Sequence, residues 1–411
     1  MDTLIKSPRP LSLEQILQLP DQEKAALGLA HTPAEIVQQP ATWLKTFDRM
    51  EHLRPSIEQF LAQGADEQAA KHLSVSLVGA GTSDYIGRAA AAVIRRNWKC
   101  HVQVIPSTDM LTEMDEIITS APRDTRHLWI SFSRSGDSFE GVKVIETAFE
   151  KYPDVDHLII TCNKTSRMAN DLSAGRSNVF CIKLDDKVND RGLAMTSSFT
   201  NMVIAAQCLA HVSDLDNYRP ILNALVSAAQ TALHEFAELA LRISQRDHSR
   251  ICFLGSGPLK AVCDESALKV MELTAGHYSV MAESFLGLRH GPLSWLNPDS
   301  LVVAFVSNDP RKLPTELGLI DELKSKNIVK DIVVIGPQSV DMSAFEDRCI
   351  KLDIPSEMSD NYRPPLDVMF AQCLGLFSSI RRNLKPDSPS ADGKIQRVVS
   401  AINIKGLDQI S

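Results

Sequence analysis

Residues suited to proton transfer sit in the second half of the chain. Glu272 and Lys269 lie three apart in Glu265-Ser266-Ala267-Leu268-Lys269-Val270-Met271-Glu272-Leu273-Thr274, so on a helix they share a face. Such a pair can move a proton and steady a developing oxyanion, or it can be an ordinary solvated salt bridge. His290, in Gly287-Leu288-Arg289-His290-Gly291-Pro292, carries an imidazole. It can be an acid/base or a structural histidine.

The first half holds hydroxyl-rich loops. Gly79-Ala80-Gly81-Thr82-Ser83-Asp84 follows a strand-like run and opens a helical one. Its glycines let the backbone approach a ligand, and a helix N-terminus offers free N–H groups. It lacks the G-x-G-x-x-G of a dinucleotide fold and the lysine of a Walker loop, and fits an ordinary βα turn equally well. Ser131-Phe132-Ser133-Arg134-Ser135-Gly136-Asp137-Ser138 is denser in hydroxyls. A helix cap needs one serine, so this loop is expected to bind phosphate. Ala194-Met195-Thr196-Ser197-Ser198-Phe199-Thr200 is a third candidate, by itself no better than a cap. Loops converging at the carboxyl ends of strands suit a phosphorylated small molecule, a phosphosugar better than a nucleotide.

The elements that must position these loops recur. Ser74–Gly81 reads SVSLVGAG, and Arg250–Gly257 reads RICFLGSG, 176 residues on. His127–Ser133 and His157–Thr161 recur in the same order as Ser300–Val306 and Asp331–Ile335. Each run is short, β-branched and unalternating, as strands covered on both faces are. Helical patterns over Asp84–Arg96, Gly141–Lys151 and Asp264–Thr274 separate them. The expectation is an α/β protein with two tandem doubly wound parallel-sheet domains, at about 50–220 and 221–385. Residues 1–49 form an arm with short helices Ser12–Leu19 and Thr32–Val37, broken by Pro20, Pro33 and Pro40. Residues 386–411 form a tail that either returns to the site or closes a sheet.

Composition limits the function classes. Of 411 residues, 44% are hydrophobic, enough apolar side chain to exclude disorder. The net charge of −8 argues against a nucleic-acid or anionic-membrane footprint. None of the eight cysteines forms a C-x-x-C pair, and most sit in apolar surroundings, so reduced core residues of a cytoplasmic protein are expected. No signal layout opens the chain and no membrane-length apolar run occurs in it. No metal-ligand spacing is present, and no cofactor or metal is expected.

Taken together the motifs resemble the sugar isomerase (SIS) family. Glu265–Gly276, the R-H-G-P of 289–292, Asp190-Arg191-Gly192-Leu193-Ala194-Met195 and the C-terminal R-P-P-L-D…D-S-P-S-x-x-G run resemble its tagatose-6-phosphate ketose/aldose isomerase group, the AgaS-type galactosamine-6-phosphate deaminase/isomerases. By comparison with the isomerase domain of glucosamine-6-phosphate synthase, the resemblance implies that Ser83, Ser133, Ser135 and Ser138 hold the phosphate. Gly81, Thr82, Thr196 and Ser197 are expected beside them. Arg134 stands where the synthase has a glutamine, and Arg397 maps onto a C-terminal lysine. Glu272 is implied as the C2-to-C1 proton carrier, Lys269 as the lysine near the sugar, and His290 as the ring-opening histidine lent by a neighbouring subunit, hence a homodimer or larger. The implied activity is conversion of galactosamine 6-phosphate to tagatose 6-phosphate and ammonia in amino sugar catabolism, without a cofactor. A non-deaminating isomerase, a glucosamine-6-phosphate deaminase and a non-catalytic phosphosugar sensor are the alternatives.

Overall fold

A computed structural model describes residues 10–63, 72–122, 124–390, 393–395 and 397. The first domain alternates strands and helices: β1 (His72–Gly79), β2 (His101–Pro106), β3 (Thr125–Ser133), β4 (Asp156–Thr161) and β5 (Val179–Lys183). The second repeats the pattern with β6 (Arg250–Gly255), β7 (Ser279–Glu283), β8 (Ser300–Phe305), β9 (Asp331–Pro337) and β10 (Cys349–Leu352). Each set pairs in parallel into a five-stranded sheet, ordered β2-β1-β3-β4-β5 and β7-β6-β8-β9-β10. The two orders are the same, so the expected tandem doubly wound domains are present. In this order the chain reverses direction between the first and third strands, where α/β sheets bind ligands.

The N-terminal arm holds α1 (Leu13–Gln18), α2 (Asp21–Leu27), α3 (Thr32–Val37) and the long α4 (Gln39–Gln63). The prolines expected to break helices instead begin them. Pro20 is the N-cap of α2, and Pro33 and Pro40 fall in the first turns of α3 and α4. There a missing N–H costs nothing. The arm is part of the core: Trp43, Phe47 and Met50 of α4 are buried.

In the first domain α5 (Thr82–Trp98), α6 (Ser107–Thr119), α7 (Phe139–Lys151) and α8 (Ser197–Ala210) follow β1, β2, β3 and β5. Helix α9 (Leu215–Ser244) crosses to the second domain, where α10 (Pro258–Leu273), α11 (Phe285–Leu288), α12 (Leu313–Ser325) and α13 (Pro364–Arg381) complete the layers. Every residue of α8 is buried between α4 and α5. Polar threads cross that layer: Trp43 Nε1 donates to Thr200 Oγ1 (3.0 Å) and Asn201 Nδ2 to Thr42 Oγ1 (2.8 Å), so no buried donor there is wasted.

The domains meet where α5 packs on α10. Arg88 pairs with Asp84 on its own helix and reaches Asp264 of α10 at 3.5 Å. All eight cysteines are free, and five are buried. Among the described residues no helix is long and apolar enough to cross a membrane.

Candidate active site

Val78 of β1 lies opposite Ser131 of β3, which sets the loops after these strands side by side. The first loop needs its glycines. A Cβ on Gly79 would fall 2.4 Å from the Ser83 backbone, and Gly81 begins α5 at φ +56°. In the second loop Gly136, at φ +63°, leaves room for Ser166, whose Oγ a Cβ would meet at 2.1 Å. Ser133 Oγ accepts from Gly136 N (3.0 Å) and Ser135 Oγ from Asp137 N (3.3 Å), folding the loop into a nest. Ser138 starts α7, yet its hydroxyl makes no capping bond.

A cleft of about 140 Å³ opens between these loops, walled by Ser83, Ser133, Ser135 and Ser138, with Arg134 and Arg397 beside them. The volume and the hydroxyls suit a phosphoryl group with part of its sugar. Ser107, at the start of α6, and Ser131 also line it. Ser131 was legible in the serine-rich loop, whereas Ser107 lies outside every motif.

Other expected residues stand elsewhere. Thr196 and Ser197 are fully buried, and neither lines the cleft. The Asp190 carboxylate accepts from the N–H groups of Thr196 (2.8 Å), Ser197 (3.1 Å) and Ser198 (2.8 Å), and Ser197 Oγ donates to Glu35 O (2.6 Å). They form the start of α8, their donors already spent. Gly81 and Thr82 are also off the wall. Gly81 shapes the turn, and Thr82 faces α10.

Arg134 has a role its residue type did not reveal. Its guanidinium donates to Leu193 O (3.1 Å) and to Arg397 O (2.6 Å), tying the serine loop to the 190s loop and the C-terminal tail. Arg397 in turn bonds Asn189 through O and Oδ1, and its Nε is buried without a partner. Burial, and then the neighbouring Arg134, hold the Arg397 pKa below its ordinary value. From the other side Glu35 accepts from Arg191 N (2.5 Å) and Gly192 N (3.3 Å), so the N-terminal arm braces the same loop. Among the described residues of the tail, Arg397 therefore returns to the cleft.

Helix α10 carries the acid/base candidates. Glu265, Lys269 and Glu272 recur at helical spacing and share the face turned to α5. Lys269 is 0% exposed and Glu272 30%, and the two are in direct contact. A surface salt bridge is thereby excluded. Lys269 Nζ also donates to Thr82 Oγ1 (3.0 Å), which links the pair to the first loop. Burial by itself would lower the Lys269 pKa, but Glu265 and Glu272 outweigh it and hold the group above its ordinary value. Glu265, quoted within the motif but not singled out from sequence, is the residue that reading missed.

His290 is exposed, just beyond α11. Its backbone N–H donates to Gly287 O (2.9 Å), and no hydrogen bond or ion pair among the described residues joins its ring to Lys269 or Glu272. One chain does not bring it to the cleft.

The second domain repeats the loop conformation. Gly257 has φ +59° and ψ −125°, against +56° and −125° at Gly81. The buried Glu316 carboxylate accepts from Ser307 N, in the loop after β8, at 2.7 Å. The positions on α5 that lie 176 residues before Glu265, Lys269 and Glu272 are Ala89, Val93 and Arg96, which supply no such carboxylates.

Comparison with known proteins places the fold. The family model "SIS domain" matches residues 69–212 and 244–376. The D-galactosamine-6-phosphate deaminase AgaS of Escherichia coli is 34% identical, covering 91% of this chain and 95% of that protein. The protein of the same name from Shewanella sp. (strain ANA-3) is 32% identical, covering 96% and 94%. The crystal structure of tagatose-6-phosphate ketose/aldose isomerase from Escherichia coli superposes with a TM-score of 0.77, at 30% identity, over 88% of this chain and 95% of that one. Two like sheets, one hydroxyl-lined cleft and matches over both halves together place this chain in the SIS domain family.

Proposed function

We propose that the protein is a deaminating isomerase that converts D-galactosamine 6-phosphate to D-tagatose 6-phosphate and ammonia. The observation that carries this reading is the buried Lys269 joined to Glu272 and bonded to Thr82, the residue next to Ser83 in the loop that walls the cleft. The names of the relatives support the substrate.

In this mechanism the phosphate rests on the hydroxyls of Ser83, Ser133, Ser135 and Ser138. That remote contact positions C1 and C2 near Glu272. His290 opens the ring by moving a proton between O5 and O1. Its exposure on a single chain supports delivery by a second copy in an oligomer. Glu272 takes the C2 proton while Lys269 protonates O1, giving an enolamine. Glu272 then returns its proton to C1, leaving an imine at C2. Water adds there and ammonia departs. One carboxylate suffices because both carbons present the same face.

With a hydroxyl at C2 the same groups give simple aldose–ketose isomerisation, a second reading supported by the name of the 30% identical isomerase structure. Ammonia release from D-galactosamine 6-phosphate tests the first reading; ketose formation from a 2-hydroxy sugar phosphate without ammonia supports the second. Mixing Glu272→Gln protein with His290→Ala protein tests the shared histidine: recovered activity supports it.

A further inference from the structure

Glu265 lies one turn before Lys269 and is wholly buried. Its Oε1 is 3.4 Å from Lys269 Nζ and accepts from Thr82 Oγ1 at 3.3 Å. Its Oε2 is buried with no hydrogen-bond partner. One ammonium thus serves two carboxylates, Glu272 toward solvent and Glu265 behind. The mechanism above gives Glu265 no task, yet burying a carboxyl group with one oxygen unpartnered is costly.

We propose that Glu265 acts through Lys269, holding its ammonium against Thr82 and replacing the proton that Lys269 gives to the substrate's C1 oxygen. This rests on the reading under Proposed function. Glu272 takes the C2 proton and the C2–H electron pair becomes the C1–C2 double bond, so charge develops on O1. Lys269 protonates O1. Glu265 then passes its proton to Lys269, across the 3.4 Å gap or through the Thr82 hydroxyl that touches both. The new Glu265 carboxylate faces a restored ammonium. After Glu272 protonates C1, the cationic imine takes up water and releases ammonia, and the proton it sheds returns through Lys269 to Glu265. No proton is gained or lost over the cycle.

The surroundings fit a stored proton. Burial, and then Glu272, push the Glu265 pKa up to about 8 against the partial opposition of Lys269, so the group is protonated at neutral pH. Tyr85 of α5 feels the charge of Glu265, and Lys269 that of Arg134. On β6, β7 and α13, which also pack against α10, charged groups have other hydrogen-bond partners. Asp367 of α13 bonds Arg363, Glu283 of β7 bonds Ser284 N, and Arg250 of β6 bonds Trp295 O.

The test is Glu265→Gln, which keeps the shape but cannot give or take this proton, assayed beside wild type with D-galactosamine 6-phosphate from pH 6 to 9.5. The expected result is kcat lower by about 10²-fold with KM within about twofold. The alkaline limb of the wild-type kcat profile near pH 8 disappears, and Glu265→Asp recovers part of the rate. A Glu265→Gln enzyme with wild-type kcat and an unchanged alkaline limb would overturn the proposal, as would a wild type with no alkaline limb if the variant does not fold. Melting supplies a readout free of turnover. The raised pKa means wild type loses a stabilising contribution as pH rises from 4.5 through about 8, and Glu265→Gln lacks that slope. Identical slopes would also overturn it. A wild type inactive on every amino sugar phosphate would instead fail the functional reading.

Discussion

Lys269 is completely buried, yet its ammonium touches the carboxylate of Glu272, which is 30% exposed. The pair spans the boundary between core and solvent. A buried ammonium is a strong electrostatic anchor, because few water dipoles compete with it. A half-open carboxylate can still meet a substrate carbon. Each prediction below separates this arrangement from one made only for stability.

Glu272→Gln removes the base while leaving the fold and the phosphate loops in place. Turnover is expected to fall by about 10³-fold, within the range for loss of a general base, with little change in KM. Steady-state kinetics check it. Near-normal kcat would remove Glu272 from the proton path.

Ser135→Ala acts in the serine loop that walls the cleft. Losing one hydroxyl contact to a charged phosphate costs about 1.5–3 kcal/mol, so KM should rise roughly 10- to 100-fold. The value of kcat for bound substrate should change much less. A fall in kcat with KM unchanged would move the phosphate away from this loop.

Arg134→Ala cuts the bonds to Leu193 O and Arg397 O. The 190s loop keeps its Glu35 and Asp190 contacts, but the tail loses its hold on the cleft. Weaker substrate binding and faster proteolytic clipping after residue 386 are expected, with melting changed little. A large drop in melting temperature with the tail still protected would contradict this.

His157 supplies a pH signature of the core. Its ring is buried edge-on against Trp129 (5.5 Å) and Phe149 (5.3 Å), with no partner for either nitrogen. Burial depresses its pKa from 6.5 to about 3. A depressed pKa means the unfolded chain binds the proton first. The stabilising contribution is therefore intact above pH 6.5 and is lost as pH falls toward 3. His157→Phe should melt higher at neutral pH and show a flatter acid limb in a melting series. An unchanged limb would count against a neutral buried ring.

The parts of this architecture legible in sequence were those written in periodicity. Unalternating apolar runs such as Leu128–Ile130 and Leu301–Phe305 marked covered strands, and their repetition marked two domains. What periodicity does not carry is depth and direction. The spacing of Lys269 and Glu272 fits an exposed ion pair as well as a buried one, and only packing of α5 on α10 decides it. Thr196 and Ser197 looked like a third phosphate loop because residue type does not reveal that Asp190, six positions before Thr196, already takes their amides. Pro40 read as a breaker because a proline's effect depends on whether it falls in a first turn.

The most direct test of the central claim is ammonia release by purified protein given D-galactosamine 6-phosphate, with D-glucosamine 6-phosphate and the N-acetyl forms as comparisons. The account predicts rapid release from the galacto substrate, with tagatose 6-phosphate formed in equal amount and no cofactor added. Silence with every amino sugar phosphate, while a 2-hydroxy sugar phosphate is isomerised or merely bound, would contradict it.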